Sequence, residues 1–143
     1  MKKNIEVLHR ALEQFNNPAT RESYFALYDD NAVLQSYAEV EPGLASIKQF
    51  YQQLWLAFPD ARVEVEEVFA SGDKVACRFV MYATHQGDFN GLAATDKAIA
   101  LPGITILRFA NGKCVERWSQ SDFLGLMQQL GAISAPDTHF AKL

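Results

Sequence analysis

Residues 62–85, which read RVEVEEVFASGDKVACRFVMYATH, decide the fold of this chain. Their apolar residues recur at every second position, which is the period of a β-strand with one buried face. The turn-forming stretch Ser71-Gly72-Asp73 divides the alternation into two strands. On the first strand we expect one face to carry Val63, Val65, Glu67 and Phe69. On the second strand we expect the apolar face to carry Val75, Cys77, Phe79 and Met81, continued by His85. The segment therefore predicts a β-hairpin.

The residues before this hairpin have the three- and four-residue spacing of helices. Helical patterns cover residues 5–15, a short stretch after Asn17-Pro18, and residues 44–58, with a strand at 33–37 before the last of them. After the hairpin we expect a loop at 86–97, strands at 98–109 and 113–121, and a closing helix at 123–130. Helices followed by a strand meander are typical of an α+β fold. We predict one domain over residues 1–143, with N-terminal helices packed in a strongly curved antiparallel sheet. Such a sheet forms a cone-shaped half-barrel with an internal pocket.

Composition restricts the classes of partner. The chain has 143 residues, 49% of them hydrophobic, so it can bury a core without disulfides or metals. Its net charge is −4 and no basic run is present, which argues against nucleic acid as a partner. No segment approaches the apolar length of a membrane span, and the N-terminus is charged from the start, so we expect a cytoplasmic protein. Cys77 and Cys114 are too isolated to indicate zinc or a disulfide, and we predict no metal site.

The turn at residues 110–112 has two readings, which place different side chains on one face of the sheet. A two-residue Asn-Gly turn would put Arg108 opposite Val115. A three-residue loop would instead pair Phe109 with Lys113. We favour the loop, because it gathers polar side chains around one tryptophan, as a binding site requires. The face that it predicts carries Ile106, Arg108, Cys114, Glu116, Trp118, Gln120 and Asp122.

Three motifs between Phe58 and Gly131 resemble those of a known family. They are Phe-Pro-Asp at 58–60, Thr-His-x-Gly-x-Phe-x-Gly at 84–91, and Gly-Lys-x-Val-Glu-x-Trp at 112–118, which leads to Asp122. Over this half of the chain the sequence is similar to the SnoaL-like polyketide cyclases. The resemblance implies a nuclear-transport-factor-like cone that is usually a homodimer. It also implies a cofactor-free intramolecular aldol condensation that closes a polyketide ring.

The resemblance further implies a role for Asp122, and the chemistry of the reaction makes two more residues candidates. In the cyclases, the residue that matches Asp122 is the general acid/base, and burial in an apolar cone would suit its carboxyl to both taking and giving a proton. Arg108 and His85 are the candidates for stabilising the negative charge that develops on a carbonyl oxygen. Arg108 stands where the cyclases have a histidine. It cannot shuttle protons, although it can stabilise an enolate.

Each of these residues also has a purely structural interpretation. Asp122 immediately precedes the last helix and can cap it. Arg108 and Glu116 can form a cross-strand ion pair, and His85 can be a hydrogen-bonded core residue. We expect the pocket to be lined by Tyr51, Trp55, Phe79, Met81, Ile106, Glu116, Trp118 and Gln120. Two functions stay open: a small-molecule-binding protein that acts as a cofactor-free acid/base enzyme, or a non-catalytic ligand-binding or dimerisation module.

Overall fold

The computed structural model describes residues 2–37 and 40–134. Pro136, Asp137 and Thr138 predict an irregular extension over residues 132–143, and most of that segment lies outside the described residues. Over these residues the chain has the predicted α+β order. The helices are α1 (Lys2–Phe15), a 3₁₀ helix (Arg21–Leu27), α2 (Leu44–Ala57) and α3 (Phe123–Leu130). The strands are β1 (Tyr28–Gln35), β2 (Arg62–Ser71), β3 (Lys74–Thr84), β4 (Ala98–Ala110) and β5 (Lys113–Ser121). No helix within the described ranges is long and apolar enough to cross a membrane.

The five strands form one curved, open sheet in the order β1-β5-β4-β3-β2. Strands β2 to β5 pair antiparallel with their neighbours. Strand β1 differs from the expected antiparallel arrangement, because it lies parallel to β5 at one edge. It also begins earlier than expected, at Tyr28, directly after the 3₁₀ helix. The helices cover one face of the sheet, which we call the inner face; the opposite one is the outer face.

The inner face of β3 is the one that the sequence predicts. Val75, Cys77 and Met81 are buried there and pair with Leu107, Thr105 and Leu101 of β4, respectively. Phe79 is half-buried on the same face and lies over Gly103, where an added Cβ would come 2.6 Å from the phenyl ring. Alternation holds along all of β3 because its register with β4 has no irregularity.

Beyond the middle of β2, the prediction of which side chains face the core is wrong. Val65 pairs with Phe79 but Glu67 pairs with Arg78, so that Glu66 is an extra residue, a β-bulge. A bulge shifts the alternation by one residue and exchanges the two faces. Val68 and Ala70 therefore pack against the core, while Glu67 and Phe69 lie on the outer face. Phe69 is 60% exposed there.

The hairpin between β4 and β5 combines features of the two predicted alternatives, the two-residue turn and the three-residue loop. Ala110 pairs with Lys113, so the turn has the two residues Asn111 and Gly112, both at positive φ as in a type I′ turn. The three-residue loop is thus wrong. A bulge then follows, because Phe109 pairs with Cys114 while Arg108 pairs with Glu116. This extra residue places Arg108 opposite Glu116, so that the two share a face as predicted, but it sends Cys114 to the inner face, where it is buried.

Candidate active site

The three predicted catalytic residues do not converge. Arg108 pairs with Glu116 near one end of β5, and Asp122 lies six residues further along the chain, past the other end. At about 3.3 Å per residue, this separates Arg108 from Asp122 by roughly 20 Å. His85 follows β3, next to the start of β4 at Ala98. One reacting group of a ligand cannot contact all three.

Asp122 occupies the N-cap of α3. Its Oδ1 accepts a hydrogen bond from the backbone N–H of Gly125 at 2.8 Å, and the residue is exposed. The capping interpretation is therefore confirmed. Such a cap satisfies one of the backbone donors that the first turn of a helix leaves without a partner.

Arg108 lies on the outer face of the sheet. Its Nε is 3.2 Å from Oε1 of Glu116, and the two side chains are 38% and 24% exposed. Gln35 donates a hydrogen bond to the other carboxylate oxygen of Glu116 at 3.1 Å. The structural interpretation of the pair is thus confirmed. Pairing across β4 and β5 puts further predicted pocket residues on this face rather than inside the cone: Ile106, Trp118 and Gln120.

Two surface cavities lined by described residues bear on these predictions. One, of about 280 Å³, lies on the outer face, and Phe79 and Gln120 are the predicted pocket residues that border it. Its lining is completed by Glu66, Arg78, Pro102, Gly103 and Ile104. The other, of about 380 Å³, lies between α1, the 3₁₀ helix and the β4–β5 hairpin. The internal pocket of the cone stays a prediction.

His85 is a fully buried core histidine. Its Nδ1 accepts a hydrogen bond from the backbone N–H of Thr95 at 3.2 Å and lies 3.0 Å from the hydroxyl of the same residue. The ring packs against Phe58 and Phe89, with ring centres 5.5 and 6.4 Å away. Because Nδ1 accepts a hydrogen bond, the neutral ring carries its proton on Nε2. Nε2 is buried and has no partner among the described residues.

The motif residues around His85 hold the backbone together. Asp60 accepts hydrogen bonds from the backbone N–H and the hydroxyl of Thr84, both at 2.7 Å, which joins the Phe-Pro-Asp motif to the end of β3. The backbone N–H of Gly87 donates to the carbonyl of Ala57 at the end of α2. A Cβ on Gly87 would lie 2.1 Å from the carbonyl oxygen of Leu56, so only glycine fits. These motif residues position the loop that follows β3.

The charged group inside the cone is Arg117. It points inward from β5, opposite Leu107 of β4, and is 7% exposed. Its Nη1 donates hydrogen bonds to the hydroxyls of Tyr24, Tyr28 and Tyr51 at 2.9, 2.7 and 3.2 Å, while Nε donates to Thr105 at 2.8 Å. We call these five residues the Arg117 cluster. No carboxylate of the described residues pairs with Arg117.

A chain of hydroxyls orients the guanidinium. Thr105 accepts from Nε of Arg117 at 2.8 Å, and its hydroxyl lies 3.0 Å from the carbonyl of Trp118 and 2.7 Å from the hydroxyl of Ser119. Ser119 shares a further hydrogen bond with the hydroxyl of Tyr37 at 2.8 Å. These contacts hold Nε of Arg117 in place.

Burial determines the protonation of the Arg117 cluster. It raises the pKa of the Tyr24, Tyr28 and Tyr51 hydroxyls above the ordinary value, and the nearby Arg117 charge offsets only part of the shift. Burial alone would lower the pKa of Arg117. The electrostatic attraction between Arg117 and the surrounding tyrosine oxygens is larger than this effect, so the pKa of Arg117 stays above its usual range. At neutral pH the cluster therefore holds one positive charge among neutral hydroxyls.

The sequence profile of the SnoaL-like polyketide cyclases matches residues 6–130. The chain belongs to this family. The SnoaL-like chain is 25% identical to aklanonic acid methyl ester cyclase DnrD of Streptomyces peucetius over 142 residues, which covers 92% of each protein. Its match to aklanonic acid methyl ester cyclase AcmA of Streptomyces galilaeus is 32% identical over 72 residues and spans half of each protein.

Solved structures extend this comparison beyond cyclases. The SnoaL-like chain superposes on AclR from Streptomyces galilaeus, a proposed hydroxylase, with a TM-score of 0.84 and 25% identity. The superposition covers 99% of this chain and 89% of AclR. The fold is therefore shared with a protein whose proposed reaction differs, and the reaction must be argued from the site.

Most of the Arg117 cluster lies outside the residues predicted from the sequence. Tyr51 was predicted to line the interior, and it is buried there with Trp55 and Met81. Arg117 was not among the predicted site residues, because the prediction assumed that inward and outward side chains alternate along β5 without interruption. The bulge at Val115 places Cys114 and Arg117, three residues apart, on the same face. A signal was available, since Tyr24 and Tyr28 are four residues apart in a region with helical spacing.

Proposed function

We propose that this chain binds a small carbonyl compound of the polyketide type inside its cone and acts on it by cofactor-free proton transfer, as an aldol cyclase or isomerase does. The observation that carries the proposal is Arg117, a buried charge that is surrounded by hydroxyl groups and lacks a carboxylate partner among the described residues. Buried charges are costly unless an opposite charge or a developing one faces them. A ligand oxygen that carries or develops negative charge meets this requirement. Family membership and the activity named for DnrD and AcmA support the same class of ligand.

The chemistry needs no cofactor. A base removes a proton from the carbon next to a carbonyl, and the resulting enolate carries its charge on oxygen. The enolate carbon then attacks a second carbonyl carbon of the same molecule, forming a C–C bond, and the new alkoxide takes up a proton. The product is an isomer of the substrate. Preorganised donors that face a negatively charged oxygen are strongest in a water-poor site, and the Arg117 cluster offers N–H and O–H donors to an oxygen of the ligand inside the cone.

Asp122 is the proposed acid/base, as the resemblance implies. Only its Oδ1 is engaged in the cap, and Oδ2 makes no hydrogen bond to the described residues. The five residues from Arg117 to Asp122 correspond to about 16 Å along the strand. The two groups therefore cannot act on one carbonyl and its neighbouring carbon. With Asp122 as the acid/base, the Arg117 cluster holds a distant oxygen of the same ligand, which must be elongated, as a compound of several fused rings is.

A direct assay tests this proposal. The purified chain is incubated with aklanonic acid methyl ester, and the mixture is separated by liquid chromatography with mass detection. Ring closure by aldol addition gives a new peak of unchanged mass, absent with heat-denatured protein. An unchanged chromatogram at micromolar protein, with this ester and with shorter polyketide analogues, would contradict the enzymatic proposal.

Asp122→Asn separates the two roles of Asp122. Asparagine keeps an oxygen that accepts the hydrogen bond from Gly125 but cannot exchange protons. If Asp122 is the acid/base, this variant keeps the wild-type melting temperature and loses turnover by about 100-fold or more. If its turnover equals that of the wild type, Asp122 is only a cap.

We also propose a cytoplasmic homodimer that pairs through the outer face. Its support is the exposed apolar surface on β2 and β4, where Phe69, Ile104 and Ile106 are 60, 57 and 39% exposed. Exposed apolar patches of this kind are typical of protein interfaces. Light scattering should give twice the chain mass for the wild type and the single mass for Ile104→Lys. A monomeric wild type would contradict the proposal.

The alternative function is a non-catalytic ligand-binding or dimerisation module. The cap at Asp122 and the ion pair of Arg108 favour it, because both predicted reactive groups have structural partners. Under this alternative, the chain binds polyketide-type compounds that it leaves chemically unchanged in the same assay.

A further inference from the structure

The hydrogen bonds inside the Arg117 cluster leave some of its donors over. The hydroxyls of Tyr24, Tyr28 and Tyr51 lie close together, with Tyr24 to Tyr28 at 2.7 Å and Tyr28 to Tyr51 at 3.1 Å, so they donate to and accept from one another. They also accept from Nη1 of Arg117, at 2.9, 2.7 and 3.2 Å. A further donor in such an apolar interior needs an acceptor supplied from elsewhere.

Two groups of donors lack an acceptor in the part of the chain that the structure describes. Nη2 of Arg117, with its two N–H groups, makes no hydrogen bond to the described residues. The indole N–H of Trp55 is buried and unpartnered, and this ring lies 6.1 Å from the ring of Tyr51 and 6.4 Å from that of Tyr24. The interior thus combines a permanent positive charge with three N–H groups that have no acceptor among the described residues.

This combination distinguishes a neutral ligand oxygen from a charged one. The oxygen of a ketone or an ester can accept hydrogen bonds, but it leaves the guanidinium charge uncompensated. A carboxylate has two oxygens with about four acceptor positions, and it also cancels the charge. In a site of low dielectric constant, the charge term dominates the difference between the two.

We propose that the Arg117 cluster binds the carboxylate of an acidic ligand and thereby selects an acid over its neutral ester. The inference rests on the proposed function, because it places the ligand in the same interior site. It specifies the charge of that ligand, which distinguishes this chain from relatives whose names give a methyl ester as substrate. Arg117 is then the residue that determines specificity for charge.

A matched pair of probes tests the proposal. Anthraquinone-2-carboxylate and its methyl ester share one planar, carbonyl-bearing skeleton and differ in charge. Binding of each is measured by equilibrium dialysis at pH 7.5 to the wild type, to Arg117→Met and to Arg108→Met. The control removes the same charge from the outer face of the neighbouring strand, where Arg108 is paired with Glu116.

We expect the wild type and Arg108→Met to bind the acid at least about 30-fold more tightly than the ester, since a desolvated charge pair loses this much when one partner is removed. Arg117→Met should lose the preference. Far-ultraviolet circular dichroism verifies that each variant is folded. If Arg117→Met does not fold, Arg117→Lys should keep a preference for the acid, and Tyr51→Phe, which removes one donor, should weaken acid binding several-fold.

The inference is overturned if the wild type binds acid and ester equally, if it binds neither, or if Arg117→Met keeps the preference. Failure of the inference is distinguishable from failure of the proposed function. Turnover of aklanonic acid methyl ester together with equal binding of the two probes would refute the charge selection and leave the enzymatic proposal standing. Selective binding of the acid without any turnover would refute the enzymatic proposal and leave the charge selection standing.

Discussion

Raising the pH above 10 should unfold this protein steeply, because three buried tyrosine hydroxyls must stay protonated in the folded state. Burial raises the pKa of Tyr24, Tyr28 and Tyr51 above the ordinary value of 10.0. Above pH 10 the unfolded chain loses these protons while the folded chain keeps them. The unfolded state then binds fewer protons, so the free energy of unfolding falls as the pH rises. The stabilisation from these three groups is fully present below pH 10.

The size of the effect follows from the number of groups. Each proton held only in the folded state changes the free energy of unfolding by about 1.36 kcal/mol per pH unit. Three groups together give about 4 kcal/mol per pH unit, which removes a typical domain stability of about 5–15 kcal/mol within a few pH units. Tyr37, whose pKa burial also raises above the ordinary value, adds to this slope in the same direction. Cys114, whose thiol pKa burial raises to about 11, does so between pH 9 and 11.

Urea unfolding followed by circular dichroism at 222 nm, repeated from pH 8 to pH 11.5, measures this slope. The matched variant is Tyr51→Phe, which should reduce the slope above pH 10 by about 1.4 kcal/mol per pH unit. Because both proteins contain Cys114, its contribution cancels in the comparison. A wild-type slope near 1 kcal/mol per pH unit, or an identical slope for Tyr51→Phe, would refute the buried, neutral tyrosine cluster.

Two further substitutions test local features of the structure. Asp122→Ala should lower the free energy of unfolding by about 1 kcal/mol by removing the cap of α3, whereas Asp122→Asn should change it little; equal losses in urea titrations would contradict the cap. Gly87→Ala should destabilise by about 2 kcal/mol or more, because its Cβ would collide with the backbone carbonyl of Leu56, which cannot move like the end of a side chain. A melting temperature equal to that of the wild type would refute that close contact.

The sequence predicts the order of elements and the α+β class because both depend on periodicity, which persists along a whole element. It predicts the face of a strand only where the strand is regular. Along β3 alternation is unbroken, and Val75, Cys77 and Met81 are buried as expected. The bulges at Glu66 and Val115 each exchange the faces that follow them. A single extra residue leaves too weak a trace in the hydrophobic pattern to be located.

The site was harder to predict, because its residues come from distant parts of the chain. Arg117 bonds to Tyr24 across 93 positions and to Tyr51 across 66, and no local spacing reflects these contacts. The motifs that are easiest to recognise hold the backbone in place, as Asp60 and Thr84 do through their paired hydrogen bonds. Arg108 attracted attention because it departs from the family pattern, yet it lies on the outer face. Arg117 is buried and Arg108 is not, and a single sequence does not reveal this difference in burial.

The central claim is that the ligand of this protein binds at Arg117, inside the cone, and not at the outer-face residue Arg108. The most direct measurement is the ¹⁵N–¹H resonance of each arginine Nε–H during titration with anthraquinone-2-carboxylate, with Arg117→Met and Arg108→Met used for assignment. Nε of Arg117 is buried and bonded to Thr105, so its proton should exchange slowly enough to be observed. We expect the Arg117 resonance to shift with ligand concentration while that of Arg108 stays in place. A shift confined to Arg108, or saturable binding with neither resonance moving, would contradict the account.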